Sequence, residues 1–163
     1  MKKVIMLKGL PGSGKSHWAK NNCGPDVIRV NKDDIRAMMG GEFSKGKEKI
    51  VLAVRDSLIR EGLSQHKTVI VDDTNFAQVH EDTLRGIAKE FDAYFEVENV
   101  NTPVDECIKR DASRANPVGR GAGRGRIVHR RARVDYRAVQ RHQGVGRGRQ
   151  TRLDELPAVD HDV

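Results

Sequence analysis

The sequence predicts a doubly wound α/β domain, a parallel sheet flanked by helices, on three observations. Short runs rich in β-branched or aromatic residues alternate with stretches of helical spacing; the first run passes straight into a glycine-rich turn; and polar residues suited to chemistry follow the ends of three of the four runs. In such folds the ligand lies at the carboxyl ends of the strands. An Arg/Gly-rich tail follows from residue 119.

The predicted strands are Val4 to Leu7, Val27 to Val30, Thr68 to Val71 and Tyr94 to Val100. The helical stretches between and after them are Lys15 to Asn22, Asp33 to Met39, Lys47 to Arg60, Gln78 to Phe91 and Pro103 to Ala112. In the third, Ile50, Val51, Val54, Leu58 and Ile59 fall on one side, and Gly62 stands where a C-terminal stop is expected. In the last, Pro103 suits the first helical position, Thr102 the N-cap, and Asp105 and Glu106 the first turn, where the helix dipole favours acids.

Directly behind the first strand, Gly9-Leu10-Pro11-Gly12-Ser13-Gly14-Lys15-Ser16 fits G-x-x-x-x-G-K-[ST] in a strand-to-helix context. Gly9, Gly12 and Gly14 let the backbone wrap so that its N–H groups, Ser13 among them, face phosphate oxygens, and the following helix adds its positive end. Lys15 supplies a mobile cation for the β- and γ-phosphates, and Ser16 the expected hydroxyl ligand of Mg²⁺. A plain tight turn would account for the glycines but not for Lys and Ser at the required offset. ATP and Mg²⁺ are the cofactors this pattern implies.

Thr68-Val69-Ile70-Val71-Asp72-Asp73 is an apolar strand ending in acids, which brings a carboxylate close to bound phosphates. Asn31-Lys32-Asp33-Asp34-Ile35-Arg36 follows the second strand and opens a helix. There a carboxylate can take the proton of an attacking hydroxyl, while a guanidinium one turn on holds an acceptor phosphate. Taken alone, acids at a helix start are usually structural. Arg110 and Arg114, four residues apart on one helix face, precede the lid-like stretch 115–118 and suit the transferring phosphate; cations complementing a helix end would explain either one alone. The six histidines lack ligand spacing and receive no role, and Trp18 is expected to pack on the sheet. Cys23 and Cys107 form no metal or disulfide pattern and are expected to be small buried residues.

In that order GLPGSGKSHWAK, NKDDIR, VDDTN and IKRDASR resemble the kinase domain of the phage-type 5′-hydroxyl polynucleotide kinases, over roughly residues 1–118. The resemblance implies a P-loop kinase-like fold and transfer of the γ-phosphate of ATP to the 5′-OH end of DNA or RNA in nucleic acid repair. It also implies Asp33 as general base, Arg36 as the holder of the terminal nucleotide's 3′-phosphate and Asp73 in the acceptor site. Arg114 would be the lid arginine on the donor phosphates, with Arg110 a further contact there. No D-x-D-G-T motif occurs, so a 3′-phosphatase activity is not expected. The runner-up readings are a small-molecule P-loop phosphotransferase and a non-catalytic nucleotide- and nucleic-acid-binding protein.

Composition sets the outer bounds. With 163 residues, 37% of them hydrophobic and 33% charged, the chain suits one globular kinase domain, 1–118, extending to about 142 if residues 127–142 form a helix. The apolar start Val4 to Leu7 ends too early for a signal peptide, nothing approaches the ~18 apolar residues of a membrane span, and a reducing cytoplasm is expected. The net charge of +7 is uneven. Residues 119–163 hold eleven Arg, five acids and no Lys, so the body is nearly neutral and the tail carries the charge. Three readings of that tail stand side by side: a basic arm for nucleic acid phosphates, a solvated extension of low order, and an out-of-frame translation of a GC-rich gene.

Overall fold

The structure is a computed structural model and describes residues 2–41 and 44–114. The expectations on the lid-like stretch, on a helix over 127–142 and on the tail lie outside these residues. In chain order the elements are β1 (Lys3–Lys8), α1 (Lys15–Asn21), β2 (Val27–Val30), α2 (Lys32–Met38), α3 (Lys45–Ser64), β3 (Thr68–Val71), α4 (Gln78–Glu90), β4 (Tyr94–Asn99) and α5 (Val104–Ala112).

The four strands form one sheet in the order β2-β3-β1-β4, every pairing parallel. Val4 lies opposite both Val69 and Phe95, and Val27 opposite Thr68. Because successive strand side chains point to opposite faces, β1 sends Val4 and Met6 one way and Ile5 and Leu7 the other. The first face carries the larger core, where Val69, Val71 and Phe95 join Ile59 and Leu63 of α3 and Leu84 and Ile87 of α4. On the second face Leu7 and Ile70 pack with Ala19 of α1, against which Trp18, Ile5 and Val27 also rest. Trp18 therefore does pack on the sheet. Residues 69–71 of β3 are buried on both faces, as a central parallel strand requires.

The topology locates the ligand crevice. From β1 the chain crosses through α1 to β2 on one side, and from β3 it crosses through α4 to β4 on the other. The winding therefore reverses between the adjacent strands β1 and β3, and the crevice of a doubly wound sheet opens at the carboxyl ends of such a pair. The glycine-rich loop leaves β1 there, and Asp72 and Asp73 leave β3 there.

Four local expectations are corrected. Helix α3 runs on to Ser64, so Gly62 is not its stop but a helical residue. A Cβ at Gly62 would lie 2.6 Å from Ile28 Cδ1 and 2.9 Å from Val69 Cγ2, so hydrogen is what lets α3 sit close to β2 and β3. The buried face of α3 is Val51, Arg55, Ile59, Gly62 and Leu63, while Ile50 and Leu58 are exposed. At the start of α5, Pro103 is itself the N-cap residue with no side-chain cap, and the Thr102 hydroxyl instead donates to the carbonyl of Ser13 at 2.7 Å. Finally, Cys107 is buried but Cys23 is exposed, one residue beyond the C-cap of α1. Among the described residues no helix is long and apolar enough to cross a membrane.

Substituting Gly62→Leu is expected to lower stability by about 1–3 kcal/mol, the usual range for overpacking a tight contact, in urea unfolding followed by circular dichroism. Ile50→Ala, at an exposed position of the same helix, is expected to stay within about 0.5 kcal/mol of the parent.

Candidate functional site

The loop between β1 and α1 is shaped by contacts that only glycine permits. Gly12 has φ 82° and Gly14 φ 97°, both left-handed. A Cβ on Gly12 would overlap the carbonyl of Cys107, and one on Gly9 would lie 2.6 Å from Ser13 Oγ and 3.0 Å from the Val100 carbonyl. The loop is thus wedged between the backbone of α5 and the end of β4. Gly14 is the N-cap residue of α1, so the helix starts at Lys15 with Ser16, half-buried, in second position.

Lys15 is 8% exposed, and its Nζ donates to the carbonyls of Gly9 and Leu10, both at 2.8 Å. It closes over its own loop. Burial pulls its ammonium down to about pKa 8, against the opposing pull of Asp72. The charge of Arg114 lowers it further. Arg110 stands over the loop from the side, with Nη1 4.0 Å from where a Cβ on Gly14 would be and Nη2 2.5 Å from Glu106 Oε1. Arg114 lies two residues past the end of α5 and pairs with Asp111 at 3.7 Å.

Across the crevice stand the residues after β2 and β3. Asn31 caps α2 by accepting the N–H of Asp34 at 3.0 Å, while its amide donates to the carbonyl of Asp72. That bond ties the start of α2 to the end of β3. Asp72 is 1% exposed and accepts from Arg29 Nε at 2.7 Å; Arg29 also bonds Asp34. Asp73 accepts the backbone N–H of Lys32 at 2.9 Å. Burial lifts the Asp73 carboxyl above the usual range, opposed chiefly by the nearby ammonium and N–H of Lys32. Buried Asn75, at φ 48°, donates to the Leu7 carbonyl at 3.0 Å and so bridges the ends of β1 and β3.

Asp33 and Arg36 meet one another, with Arg36 Nη1 2.5 Å from Asp33 Oδ1. Arg36 is also held in a fork by Glu48 of α3, at 2.9 Å from Nε and 2.7 Å from Nη2. Hydrogen bonding to Glu48 raises its already high pKa, so it stays a cation. The Asp33 side chain is 68% exposed at the rim of the crevice.

The structure thus gathers the glycine-rich loop and Arg110 where β1, β4 and α5 meet, and Asp33, Arg36 and Asp73 where β2, β3, α2 and α3 meet, while Arg114, just past α5, pairs with Asp111. Sequence reasoning passed over Arg29, Glu48, Arg55 and His80. Arg29 had a signal, a lone charge inside the strand run Val27 to Val30, and Arg55 another, a charge four residues from both Val51 and Ile59. Glu48 had none, because its partner is twelve positions away on another helix. His80, half-buried, is held below its ordinary pKa by burial and by the charges of Lys32 and Arg55.

Among the described residues no group of three or more His, Cys, Asp or Glu could hold a metal ion alone. Mg²⁺ does not call for such a group, since it usually keeps several waters and is held by one or two protein groups plus substrate phosphates. Ser16, beside the loop, is the residue that would hold it.

A family model described as an AAA domain matches residues 4–138. The chain belongs to this family. Its parallel four-stranded sheet with flanking helices is the fold of the P-loop kinases, in which the loop binds a nucleotide. The chain is 32% identical over 121 residues to the L-seryl-tRNA(Sec) kinase of Methanococcus maripaludis, a match that takes in 71% of this chain and 47% of that protein. It superposes on a chain in the structure of the Pnkp1/Rnl/Hen1 RNA repair complex with a TM-score of 0.60 at 25% identity, covering 86% of this chain and 42% of the other. The APS kinase CysC of Mycobacterium tuberculosis, solved with AMPPNP and APS, has the same fold at a TM-score of 0.54 and 21% identity, over 69% of each chain. The chain spans less than half the length of the first two of these relatives.

The buried ammonium makes nucleotide binding pH-dependent in a defined direction. Below about pH 8 Lys15 is already protonated and affinity for a non-hydrolysable ATP analogue is expected to be flat. Above it, binding must first protonate Lys15, so affinity falls by up to about tenfold per pH unit. Isothermal titration from pH 7 to 9.5 reads this slope, which Lys15→Met should abolish together with most of the affinity. Gly12→Ala is expected to abolish binding, because its Cβ meets the backbone of α5.

Proposed function

We propose that this chain carries a polynucleotide 5′-hydroxyl kinase, transferring the γ-phosphate of ATP to the 5′-OH end of RNA or DNA. The observation that carries the reading is the Asp33–Arg36 pair on the far side of the crevice from Lys15, backed by Asp73. A carboxylate at the rim with a guanidinium beside it suits an acceptor that brings both a hydroxyl and a phosphate. The likeness to a chain of an RNA repair complex supports it.

In this reading Asp33 takes the proton of the 5′-hydroxyl as its oxygen attacks the γ-phosphorus. The new O–P bond forms as the bond from the γ-phosphorus to the β,γ-bridging oxygen breaks, and ADP leaves. Lys15, Arg110 and Arg114 offset the charge on the phosphoryl oxygens, and the loop N–H groups hold the β-phosphate. The Ser16 hydroxyl would hold Mg²⁺, which would supply further neutralisation of phosphate charge. Arg36 exchanges part of its fork with Glu48 for the acceptor phosphate. Asp73 orders the acceptor side through the N–H of Lys32.

The 32% identity to a seryl-tRNA kinase favours a second reading, in which the acceptor hydroxyl is that of a serine esterified to tRNA. Both acceptors are hydroxyls carried by a nucleic acid, so the same pair of groups would serve. They separate in one assay, with labelled ATP offered to a 5′-OH oligonucleotide, its 5′-phosphorylated control, seryl-tRNA and small alcohols. Transfer only to the 5′-OH oligonucleotide is expected, and transfer to seryl-tRNA alone would replace the first reading by the second.

Asp33→Ala is expected to lower transfer at least about a hundredfold, the usual scale of lost general-base catalysis, with affinity for the ATP analogue unchanged. Arg36→Ala is expected to raise KM for a 3′-phosphorylated nucleoside more than tenfold and to leave KM for ATP within about twofold, in initial-rate kinetics.

A further inference from the structure

Arg55 sits in the middle of α3 on the face turned to the sheet and is 1% exposed. An arginine in that position is costly unless its N–H groups and charge are met. Its neighbour Asp56 meets part of the demand, with Oδ1 2.8 Å from Nε and 2.6 Å from Nη2. The remaining terminal nitrogen, Nη1, is buried and has no hydrogen-bond partner among the described residues. Asp73, 7% exposed, shows the complementary gap: Oδ1 takes the Lys32 N–H, and Oδ2 is buried without a partner.

The residues that carry the two gaps lie within electrostatic reach of one another. The charge of Arg55 acts on Asp73 and on His80, and that of Lys32 on both as well. Lys32 comes from α2, Arg55 from α3, Asp73 from the end of β3 and His80 from the start of α4, and Asp72 and Arg36 also act on or feel Asp73. No ion pair within 4.0 Å joins Arg55 to Asp73 among the described residues, and each keeps one buried polar atom without a partner, a demand that a third group between them would meet. Its chemistry is constrained. A phosphate or carboxylate would satisfy Nη1 but repel the Asp73 carboxylate, and an ammonium would do the reverse. A neutral hydroxyl accepts from the guanidinium and donates to the carboxylate at once.

We propose that Arg55 is a positioning residue of the acceptor side: with Asp73 it holds one neutral hydroxyl-bearing group between Nη1 and Oδ2, and its charge keeps the buried carboxylate an oriented anion. The hydroxyl comes from a water or from the acceptor itself. Only the assignment of this cluster to the acceptor side rests on the polynucleotide kinase reading.

The test is a carboxyl ¹³C NMR titration of Asp73, its resonance assigned by loss in Asp73→Asn, in the parent chain and in Arg55→Met, Arg55→Lys and Asp56→Asn. Loss of an opposite charge in a buried site is expected to raise the Asp73 midpoint by at least about one pH unit in Arg55→Met. In Arg55→Lys it should rise by less than half as much, and in Asp56→Asn it should not rise at all. A midpoint that stays within about 0.3 unit of the parent in Arg55→Met, with the circular dichroism spectrum retained, overturns the proposal and leaves Arg55 as a structural partner of Asp56 alone. Should Arg55→Met fail to fold, Arg55→Gln, which keeps N–H donors without charge, is read against the same threshold.

Matched 5′-OH oligonucleotides with ribose or 2′-deoxyribose at the terminal nucleotide then separate the two sources. If an acceptor hydroxyl fills the gap, the parent favours ribose and Arg55→Met removes the preference; if water fills it, Arg55→Met lowers kcat/KM for both alike. Absence of transfer to every oligonucleotide would sink the polynucleotide reading, while the titration would still decide the role of Arg55.

Discussion

The phosphate loop is seated backbone against backbone on α5, and the rest of the site depends on that contact. At Gly12 there is no room for a side chain before the carbonyl of Cys107 is reached. The Thr102 hydroxyl holds the carbonyl of Ser13 from the segment that leads into α5, and Val100 continues the pairing of β4 with β1 by donating to the Lys8 carbonyl at 2.8 Å. The loop is therefore clamped from β4 and α5 as well as from its own strand and helix. One clamp also carries the arginines, since α5 holds Arg110 above Gly14 and leads to Arg114. The loop and the arginines are thereby joined through a backbone contact rather than through loops of independent geometry.

The opposite wall is braced by charge. Asp72 is matched by Arg29 from β2, Asp73 by the N–H of Lys32 from α2, and Arg36 by Glu48 from α3. Each pair joins two different elements, so the ends of β2 and β3 and the starts of α2 and α3 are tied into one frame. Such pairs are poor sources of stability, because desolvation offsets their attraction. Breaking the Arg29–Asp72 pair, however, leaves the buried Asp72 carboxylate uncompensated in a low dielectric, at a cost of about 3–5 kcal/mol. The frame is thus specific rather than strong, and it is what gives Asp33 and Arg36 a fixed place at the rim.

Much of this was legible in the sequence because it is written locally. The strands and helices follow hydrophobic period, and every predicted element exists within a few residues of its expected bounds. The glycine-rich loop, the acids after β3 and the NKDDIR segment each declare themselves over six to eight neighbouring residues. The misreadings occur where a residue's neighbour in space is far away in sequence. Gly62 reads as a helix stop from its local context and is instead the point where α3 touches Ile28 and Val69. Thr102 reads as a cap, yet its hydroxyl goes to a carbonyl 89 positions earlier. Ile50 and Leu58 fit a helical stripe as well as Arg55 does not, and the stripe that is buried centres on Arg55.

The sequence by itself determined the fold class, the phosphate loop and the chemical types available on either side of it, since these follow from backbone preference and from groups within one turn of each other. Only the tertiary structure decided which charges meet. Lys15 loses basicity because the fold buries it, Asp73 is forced toward the neutral form and held back by Lys32 and Arg55, and Arg36 is engaged by Glu48 of another helix. Electrostatic energies depend on distance and on the surrounding dielectric, and neither quantity exists until the chain has folded.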